Sequence, residues 1–183
     1  MDALVVCPAA PVRPPNPTPK DQNGQGTADK AWVRWTKDAK TMFYGSYGYN
    51  GWMYDVVPKV VADRFINQEA SIQTPAQTPV FVDANWIDLW PSETDHPCTD
   101  LYAGRSFLRH GESMARCAIV RHGSLSPASA PRTIGIDQPL PGAVQMSLFD
   151  GHAELVPLEK LWNYTWHRDW KTPSVRPIPV PMP

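Results

Sequence analysis

The 183-residue chain contains only three cysteines, carries almost no net charge and has no long apolar run. Cys7, Cys98 and Cys117 form no CxxC pair and show no zinc-ligand spacing, so a cluster of metal-binding thiolates is not expected. The formal net charge of -1, with acids and bases interspersed, provides no basic surface for a nucleic acid or an anionic membrane. No stretch approaches the ~18 apolar residues of a membrane-spanning helix, and the apolar part of residues 1–6 is too short for a signal peptide. We therefore expect no nucleic-acid partner and no membrane contact through this chain.

The signatures of common enzyme classes are also missing. The sequence has no Gly-x-Ser-x-Gly elbow, no phosphate-binding glycine loop and no HExxH pair. The neighbouring Arg116 could lower the pKa of Cys117, but the apolar run around Cys117 favours a buried or disulfide-bonded cysteine. In an oxidising compartment, one interpretation is a disulfide between Cys98 and Cys117, and the other is that all the cysteines are buried and free. We predict a protein that is not an enzyme.

Proline is abundant, and its distribution divides the chain. Of the 21 prolines, six lie between Pro8 and Pro19 and five between Pro173 and Pro183. We therefore expect residues 1–26 to be an extended N-terminal segment, residues 27–172 to form one globular domain, and residues 173–183 to be a proline-rich tail. Prolines also recur in residues 124–142, where we expect a long insertion loop. Both extended ends are expected to gain order on neighbouring subunits.

Three segments have patterns typical of strands. Aromatic residues alternate with glycine over residues 31–54, which predicts strands and bends rather than helix. The compact apolar run Pro79–Asp83 predicts a central strand that ends at Asp83, and residues 114–121 predict a second apolar strand. Residues 59–65, which follow a proline, predict a short helix or turn.

A β-hairpin is predicted around Asp150-Gly151, because this dipeptide between two alternating runs is typical of a two-residue type I′ turn. Such a turn places Leu148 opposite Ala153 and Met146 opposite Leu155. These four side chains would then form one apolar face of the hairpin, and the other face would be mostly exposed to solvent.

A helix is predicted directly after the hairpin. Pro157 suits the first helical position, and Leu158, Leu161, Trp162, Trp166 and Trp170 follow at helical spacing. We expect Trp162 and Trp166 to pack this helix onto the sheet, each burying on the order of 200 Å². Trp170 could instead face a partner.

Several short motifs occur in a characteristic order: residues 45–52, Pro79–Asp83, Arg121-His122-Gly123, Phe149-Asp150-Gly151-His152, and Leu161-Trp162 with Trp166-His167. In this order, over roughly residues 7–170, they resemble bacterial prepilin-type (pseudopilin-like) proteins named for a His-X9-Asp-Gly motif. The resemblance implies that His122, Asp150, Gly151, Trp162 and Trp166 are motif residues. In this chain, 27 residues separate His122 from Asp150, and the proline-rich insertion accounts for the excess. Family members begin with a cleavable leader and a long apolar helix, and that helix is absent from this sequence. Cys7-Pro8 resembles the start of the family's head, so we expect either a head separated from its helix or a natural form that lacks it.

The resemblance implies an α+β fold, a pseudopilin-like head in which an antiparallel sheet carries a C-terminal hairpin and a short helix. It also implies a non-catalytic structural subunit that is exported to the periplasm, the cell surface or the exterior. Such a subunit would pack with copies of itself or with related pilin-like subunits, in a type IV pilus-like or type II secretion filament.

A metal site is the main chemical hypothesis. Asp83, His122, Asp150 and His152 offer oxygen and nitrogen ligands for calcium or zinc if the strand ends converge. Alternatively, Asp150-Gly151 is only a turn, and His122 is a structural histidine that binds a carboxylate or a carbonyl. We expect no cofactor, with calcium as the alternative. Two further interpretations are a secreted carbohydrate- or calcium-dependent binding or adhesion module, in which aromatic residues stack on sugars, and a metal hydrolase.

Overall fold

A computed structural model describes residues 5–12, 24–38, 40–55, 63–105 and 113–178. These residues form two β-sheets joined by irregular chain and short helices, which confirms the predicted mixed fold with antiparallel strands. All helices assigned in this part of the chain are 3₁₀-helices: Gly51–Met53, Glu69–Ser71, Pro75–Gln77, Met114–Arg116, Pro127–Ser129 and Leu158–Asn163. The short helix predicted at residues 59–65 lies largely outside the described residues.

The aromatic N-terminal region forms strands and bends as predicted. Strand β1, Trp32–Trp35, pairs antiparallel with β2, Met42–Gly45, and β3 follows at Tyr47–Asn50. Glycine is required within β3, because a Cβ atom at Gly48 would lie 2.8 Å from the side chains of Ala84 and Leu89. Close packing of the sheet against the core therefore explains this glycine.

The larger sheet has five strands in the order β5-β3-β4-β6-β7. Its central strand is β4, Pro79–Asp83, as predicted, and it pairs antiparallel with β3 and with β6, Ala143–Leu148. Strand β7, Ala153–Pro157, lies at one edge, and the short β5, Asp88–Leu89, pairs parallel with β3 at the other. Asp83 thus ends the most enclosed strand of the sheet.

The two faces of this sheet differ. The inner face, which carries Val82, Met146 and Val156, is buried against one apolar core that also contains Trp162 and Trp166. The outer face carries a row of side chains that pair across neighbouring strands: Tyr49, Phe81, Ser147 and Ala153. Since side chains alternate along a strand, Asp83 and Leu155 also belong to the outer face.

The prediction of a strand at residues 114–121 is wrong. Met114–Arg116 is a 3₁₀-helix, and the irregular chain that follows is buried in the core. Its backbone groups bond to several separate segments, with the Val120 N–H donating to Leu101 O and the His122 N–H donating to Ala143 O. An apolar run of this length predicts burial, but by itself it does not distinguish a strand from other buried chain.

The predicted hairpin forms, but its register is shifted by one residue. Leu148 N–H donates to His152 O, Gly151 N–H donates to Leu148 O, and Gly151 has φ +93°, so the loop has three residues instead of two. Ser147 therefore pairs with Ala153, and Gln145 pairs with Leu155. A one-residue shift moves every side chain of one strand to the opposite face, so Ala153 and Leu155 are exposed on the outer face instead of joining the core.

The predicted C-terminal helix is shorter than expected. Pro157 is the last residue of β7, and the 3₁₀-helix Leu158–Asn163 ends before Trp166. Trp162 and Trp166 are nevertheless buried in the core, as expected, with the Trp166 indole donating to Leu161 O at 2.8 Å. Trp170 is half-buried and donates to Trp162 O at 3.3 Å. The periodic tryptophans therefore reflect packing around an irregular segment.

The described parts of both proline-rich ends lie on the domain itself. Residues 5–12, called the N-terminal segment below, are held where the Ser46 hydroxyl donates to Ala10 O at 2.7 Å and the Ala31 N–H donates to Pro11 O at 3.1 Å. In the C-terminal tail, Arg176 binds Glu159 at 2.9 Å. The insertion at residues 124–142 also packs on the domain, with Leu140 buried. Within the described residues, no helix combines the length and apolar character needed to cross a membrane.

Candidate functional site

Three potential metal ligands meet at the C-terminal end of the central strand. Cys7 comes from the N-terminal segment, Asp83 ends β4, and His122 follows the buried irregular chain. His122 Nε2 lies 3.3 Å from Cys7 Sγ and 3.2 Å from Asp83 Oδ2. The three ligand atoms all lie within 4.8 Å of one another. We call this group the Cys7–Asp83–His122 cluster.

Asp83 is fully buried, and both carboxylate oxygens are bonded. Oδ1 accepts a hydrogen bond from Arg121 Nη1 at 3.2 Å, and Oδ2 accepts one from the Gln145 backbone N–H at 2.7 Å. Since an unpaired buried carboxylate is costly, these contacts make its burial tolerable and fix its orientation.

Arg121 is also fully buried and joins several chain segments through its guanidinium. Besides Asp83, it donates to backbone carbonyls of four residues: Thr27, Ala28, Ser46 and Ala84. Its planar group with five donors suits such a set of acceptors. This residue therefore positions the carboxylate of Asp83 and holds the loop at residues 27–28 against the sheet.

His122 is the most accessible member of the cluster. Its backbone forms an isolated antiparallel bridge with Ala143, at 2.9 and 2.8 Å, and its side chain is 26% exposed. The bridge anchors residue 122 beside the N-terminal end of β6. The imidazole thus lies between buried ligands on one side and solvent on the other.

Cys7 is buried, and its environment does not activate it as a nucleophile. Burial and the nearby charge of Asp83 raise the pKa of the Cys7 thiol, although hydrogen bonds from the Ala9 backbone and the Tyr47 hydroxyl oppose this rise. Burial, with the charges of Cys7 and Asp83, also raises the pKa of Tyr47 to about 12. Reactive cysteines require a lowered pKa, so this arrangement does not favour nucleophilic catalysis.

The predicted four-residue metal site does not assemble. Asp150 and His152 contact each other at 2.6 Å at the exposed tip of the hairpin, but Asp83 is bonded to Gln145. Asp150 lies five positions after Gln145, which corresponds to about 17 Å of extended chain at ~3.4 Å per residue. Because β4 and β6 are antiparallel, Asp83 and the hairpin tip lie at opposite ends of the sheet. Of the four residues, His122 and Asp83 are in contact, at 3.2 Å. This contact matches the alternative interpretation, in which His122 is a structural histidine that binds a carboxylate.

The hairpin pair has the character of a surface contact. Hydrogen bonds from the His152 backbone and side chain outweigh desolvation and lower the pKa of Asp150. Gly151 has a positive φ, which matches the turn role proposed for this dipeptide.

The suggested disulfide between Cys98 and Cys117 does not form, since both residues are buried and neither belongs to a disulfide. The Cys117 thiol donates to Met114 O at 3.3 Å. Burial, with the charge of Asp95, raises the pKa of Cys117 instead of lowering it. Arg116 is directed away to Asp88, at 2.9 Å. The interpretation with buried free cysteines fits this geometry.

The sequence did not identify Cys7 or Arg121 as site residues. Arg121 had one signal, since it is a charge at the end of an otherwise apolar run, which is typical of a buried residue with a partner. Cys7 had none, because its position beside Asp83 and His122 depends on how the N-terminal segment packs on the domain.

No protein-family model, no curated protein and no solved structure matches the chain. Function is therefore inferred from the residues of this chain and their geometry.

Proposed function

We propose that the chain is a non-catalytic structural subunit of an exported filament, a pseudopilin-like head that packs with copies of itself or with related pilin-like subunits. The filament would be of the type IV pilus-like or type II secretion kind. The observation that carries this proposal is the exposure of the large apolar side chains Phe81 and Leu155 on the outer face of the five-stranded sheet, whose inner face already packs on the core.

Large apolar side chains are exposed on the outer face. Phe81 is 48% exposed and Leu155 is 50% exposed, although both belong to strands of the sheet. The ring of Tyr49 lies 5.3 Å from the ring of Phe81 and extends the apolar surface onto β3. Apolar groups of this size on a sheet face favour a protein partner. A subunit packed on this face would cover them.

The charged groups at the end of β4 fit a structural role. Arg121 and Asp83 neutralise each other in the interior and bind backbone groups of the surrounding segments. Both are therefore used to join parts of the fold. The order of the prepilin-type motifs supports the same proposal, and Cys7, where the resemblance begins, is held at this end of the sheet.

The test measures association and location. We expect the purified chain to self-associate with increasing concentration in sedimentation velocity, and Phe81→Asp or Leu155→Asp to weaken association at least tenfold. Val175→Asp is the matched control, since Val175 is 76% exposed but lies in the C-terminal tail. A photo-crosslinking residue at position 81, introduced in the source cells, should capture another copy or a pilin-like subunit in the sheared surface fraction. A chain that stays monomeric and forms no crosslink in that fraction would refute the proposal.

The alternative is a secreted binding or adhesion module for carbohydrate or calcium. The aromatic group of Tyr49, Tyr54 and Phe81 favours it, because Tyr49 lies 5.2 Å from Tyr54 and 5.3 Å from Phe81 between ring centroids. Partly exposed rings of this kind can stack on sugars. Under this alternative, a soluble oligosaccharide quenches the intrinsic fluorescence in the wild type but not in Phe81→Ala, or calcium raises the melting temperature unless Asp150 is replaced by alanine.

A further inference from the structure

We propose that the Cys7–Asp83–His122 cluster binds a zinc ion, with a fourth coordination position open on the exposed side of His122. The site would link the N-terminal segment to the end of the central strand. It goes beyond the proposed function, since a zinc site does not require that the chain be a filament subunit.

The distances fit the geometry that zinc requires. Tetrahedral zinc with bonds of about 2.3 Å to sulfur and about 2.0–2.1 Å to nitrogen and oxygen places sulfur about 3.5 Å from nitrogen, and nitrogen about 3.3 Å from oxygen. In the cluster, the separation of Cys7 Sγ from His122 Nε2 is 3.3 Å, and that of His122 Nε2 from Asp83 Oδ2 is 3.2 Å. The third pair, Cys7 Sγ and an Asp83 carboxylate oxygen, lies within 4.8 Å, so these two side chains would approach each other by at most about 1.3 Å to reach the ~3.5 Å of a tetrahedral site.

Hydrogen bonds alone satisfy the three ligand atoms of the cluster poorly. A single nitrogen, His122 Nε2, faces both the sulfur and the carboxylate oxygen. If Nε2 carries a proton, it can donate fully to only one of them, and if it carries a lone pair, that lone pair faces the carboxylate. A cation between the three atoms is attracted to all of them at once. Thiolate, imidazole and carboxylate together favour zinc over calcium, which prefers oxygen ligands only.

The ligands are already oriented by a second set of groups. The Tyr47 hydroxyl and the Ala9 backbone donate hydrogen bonds to Cys7 Sγ and fix its position. Arg121 and the Gln145 N–H hold the Asp83 carboxylate. Such outer contacts are typical of metal sites, where they fix ligand geometry.

The location gives the site a structural consequence. Cys7 and His122 are 115 residues apart in the chain. Within the described residues, the N-terminal segment is otherwise held mainly by two hydrogen bonds from Ser46, to Val5 O and Ala10 O, and one from Ala31 to Pro11 O. A zinc ion would join it to two further parts of the fold. We expect the bound metal to protect residues 5–12 from proteolysis.

The test begins with chelator-treated, reduced protein titrated with Co²⁺ and then with Zn²⁺. We expect a sulfur-to-cobalt charge-transfer band that saturates at one equivalent and disappears when zinc displaces cobalt. At a hundredfold excess of free zinc over its dissociation constant, the melting temperature should rise on the order of 5–10 °C. Failure of zinc binding would leave the association test of the proposed function unaffected, so the two outcomes are distinguishable.

Variants assign the ligands. Cys7→Ser and His122→Gln should each abolish the charge-transfer band and the melting shift. Cys98→Ala, which removes another buried thiol, and Asp150→Asn, which alters the exposed pair at the hairpin, are matched controls that should keep both. Because the His122 side chain is partly exposed, His122→Gln should fold as the wild type does. Absence of the band in the wild type, or its persistence in Cys7→Ser or His122→Gln, would overturn the proposal.

Discussion

Arg121→Met removes a buried guanidinium without greatly changing side-chain length. The substitution leaves Asp83 buried and charged without its arginine partner, and it removes donors from backbone carbonyls around the end of the sheet. Methionine fills much of the same space, so the effect should come mainly from electrostatics and lost hydrogen bonds and not from a cavity.

The expected loss is large compared with total stability. Breaking a buried ion pair by removing one partner costs about 3–5 kcal/mol, and domains are typically stable by only about 5–15 kcal/mol. We expect Arg121→Met to lower the free energy of unfolding by about 4 kcal/mol. With a urea m-value of about 2 kcal/mol/M, the midpoint should fall by about 2 M.

Arg116→Met is the matched control. Arg116 forms an ion pair with Asp88 at 2.9 Å, but the two side chains are 31% and 22% exposed. Solvent screens such a pair, so its loss should cost about 0–1 kcal/mol. Urea unfolding followed by tryptophan fluorescence, with a metal chelator present, compares the two variants. Adding Asp83→Asn to Arg121→Met should recover part of the loss, because it removes the unpaired charge. Equal losses for the two arginine variants, or no recovery by Asp83→Asn, would show that the reasoning about burial is wrong.

Three further predictions concern pH, the hairpin and the C-terminal tail. Burial lowers the pKa of His167, whose Nδ1 has no partner among the described residues. Burial alone would raise the pKa of Glu93, but hydrogen bonds from the Glu93 backbone and from His167 outweigh it, so the pKa of Glu93 is lowered. Folding therefore favours neutral His167 and ionised Glu93. The urea midpoint should be highest above about pH 6.5, decrease as the pH falls below that value, and decrease again below about pH 4. His167→Gln should remove the first of these two decreases. Gly151→Ala should lower the free energy of unfolding, measured by thermal unfolding, by about 1–2 kcal/mol because the φ of Gly151 is +93°. Gly24→Ala is the control: an added Cβ also meets nothing within 4 Å there but φ is ordinary, so the loss should be less than about 0.5 kcal/mol. Equal losses would contradict this explanation. Arg176→Ala should increase the rate at which a protease cleaves within residues 173–178 at least tenfold. Arg176 holds this tail by donating hydrogen bonds to the Glu159 carboxylate and to Gln138 O, both at 2.9 Å. An unchanged cleavage rate would exclude this anchoring role.

Local patterns in the sequence were enough to predict several elements. Pro79–Asp83 is apolar, short and bounded by proline and polar residues, and it forms the central strand. Alternating aromatic residues and glycine predicted the strands before it, and Asp150-Gly151 located the hairpin. These features depend on neighbouring residues, which is why a sequence can reveal them.

Other features depend on a choice between backbone conformations that the local sequence accepts almost equally well. Loops of two and three residues both accept Asp150-Gly151, and the choice between them decided whether Leu155 faces the core or solvent. The apolar residues before Arg121 are buried, as their composition indicates, but the hydrogen bonds that replace a strand come from distant segments. Packing therefore decided the backbone form.

The sequence by itself determined a mixed fold with an antiparallel sheet, the position of its central strand and the burial of Trp162 and Trp166, because these follow from the local order of apolar and polar residues. Only the tertiary structure decided which polar residues meet. Cys7, Asp83 and His122 come from three distant segments and converge where the N-terminal segment packs beside the end of β4, while Asp150 lies at the other end because neighbouring strands run antiparallel. The convergence of these ligands depends on strand direction and on where distant segments pack, and neither can be read from the spacing of the residues.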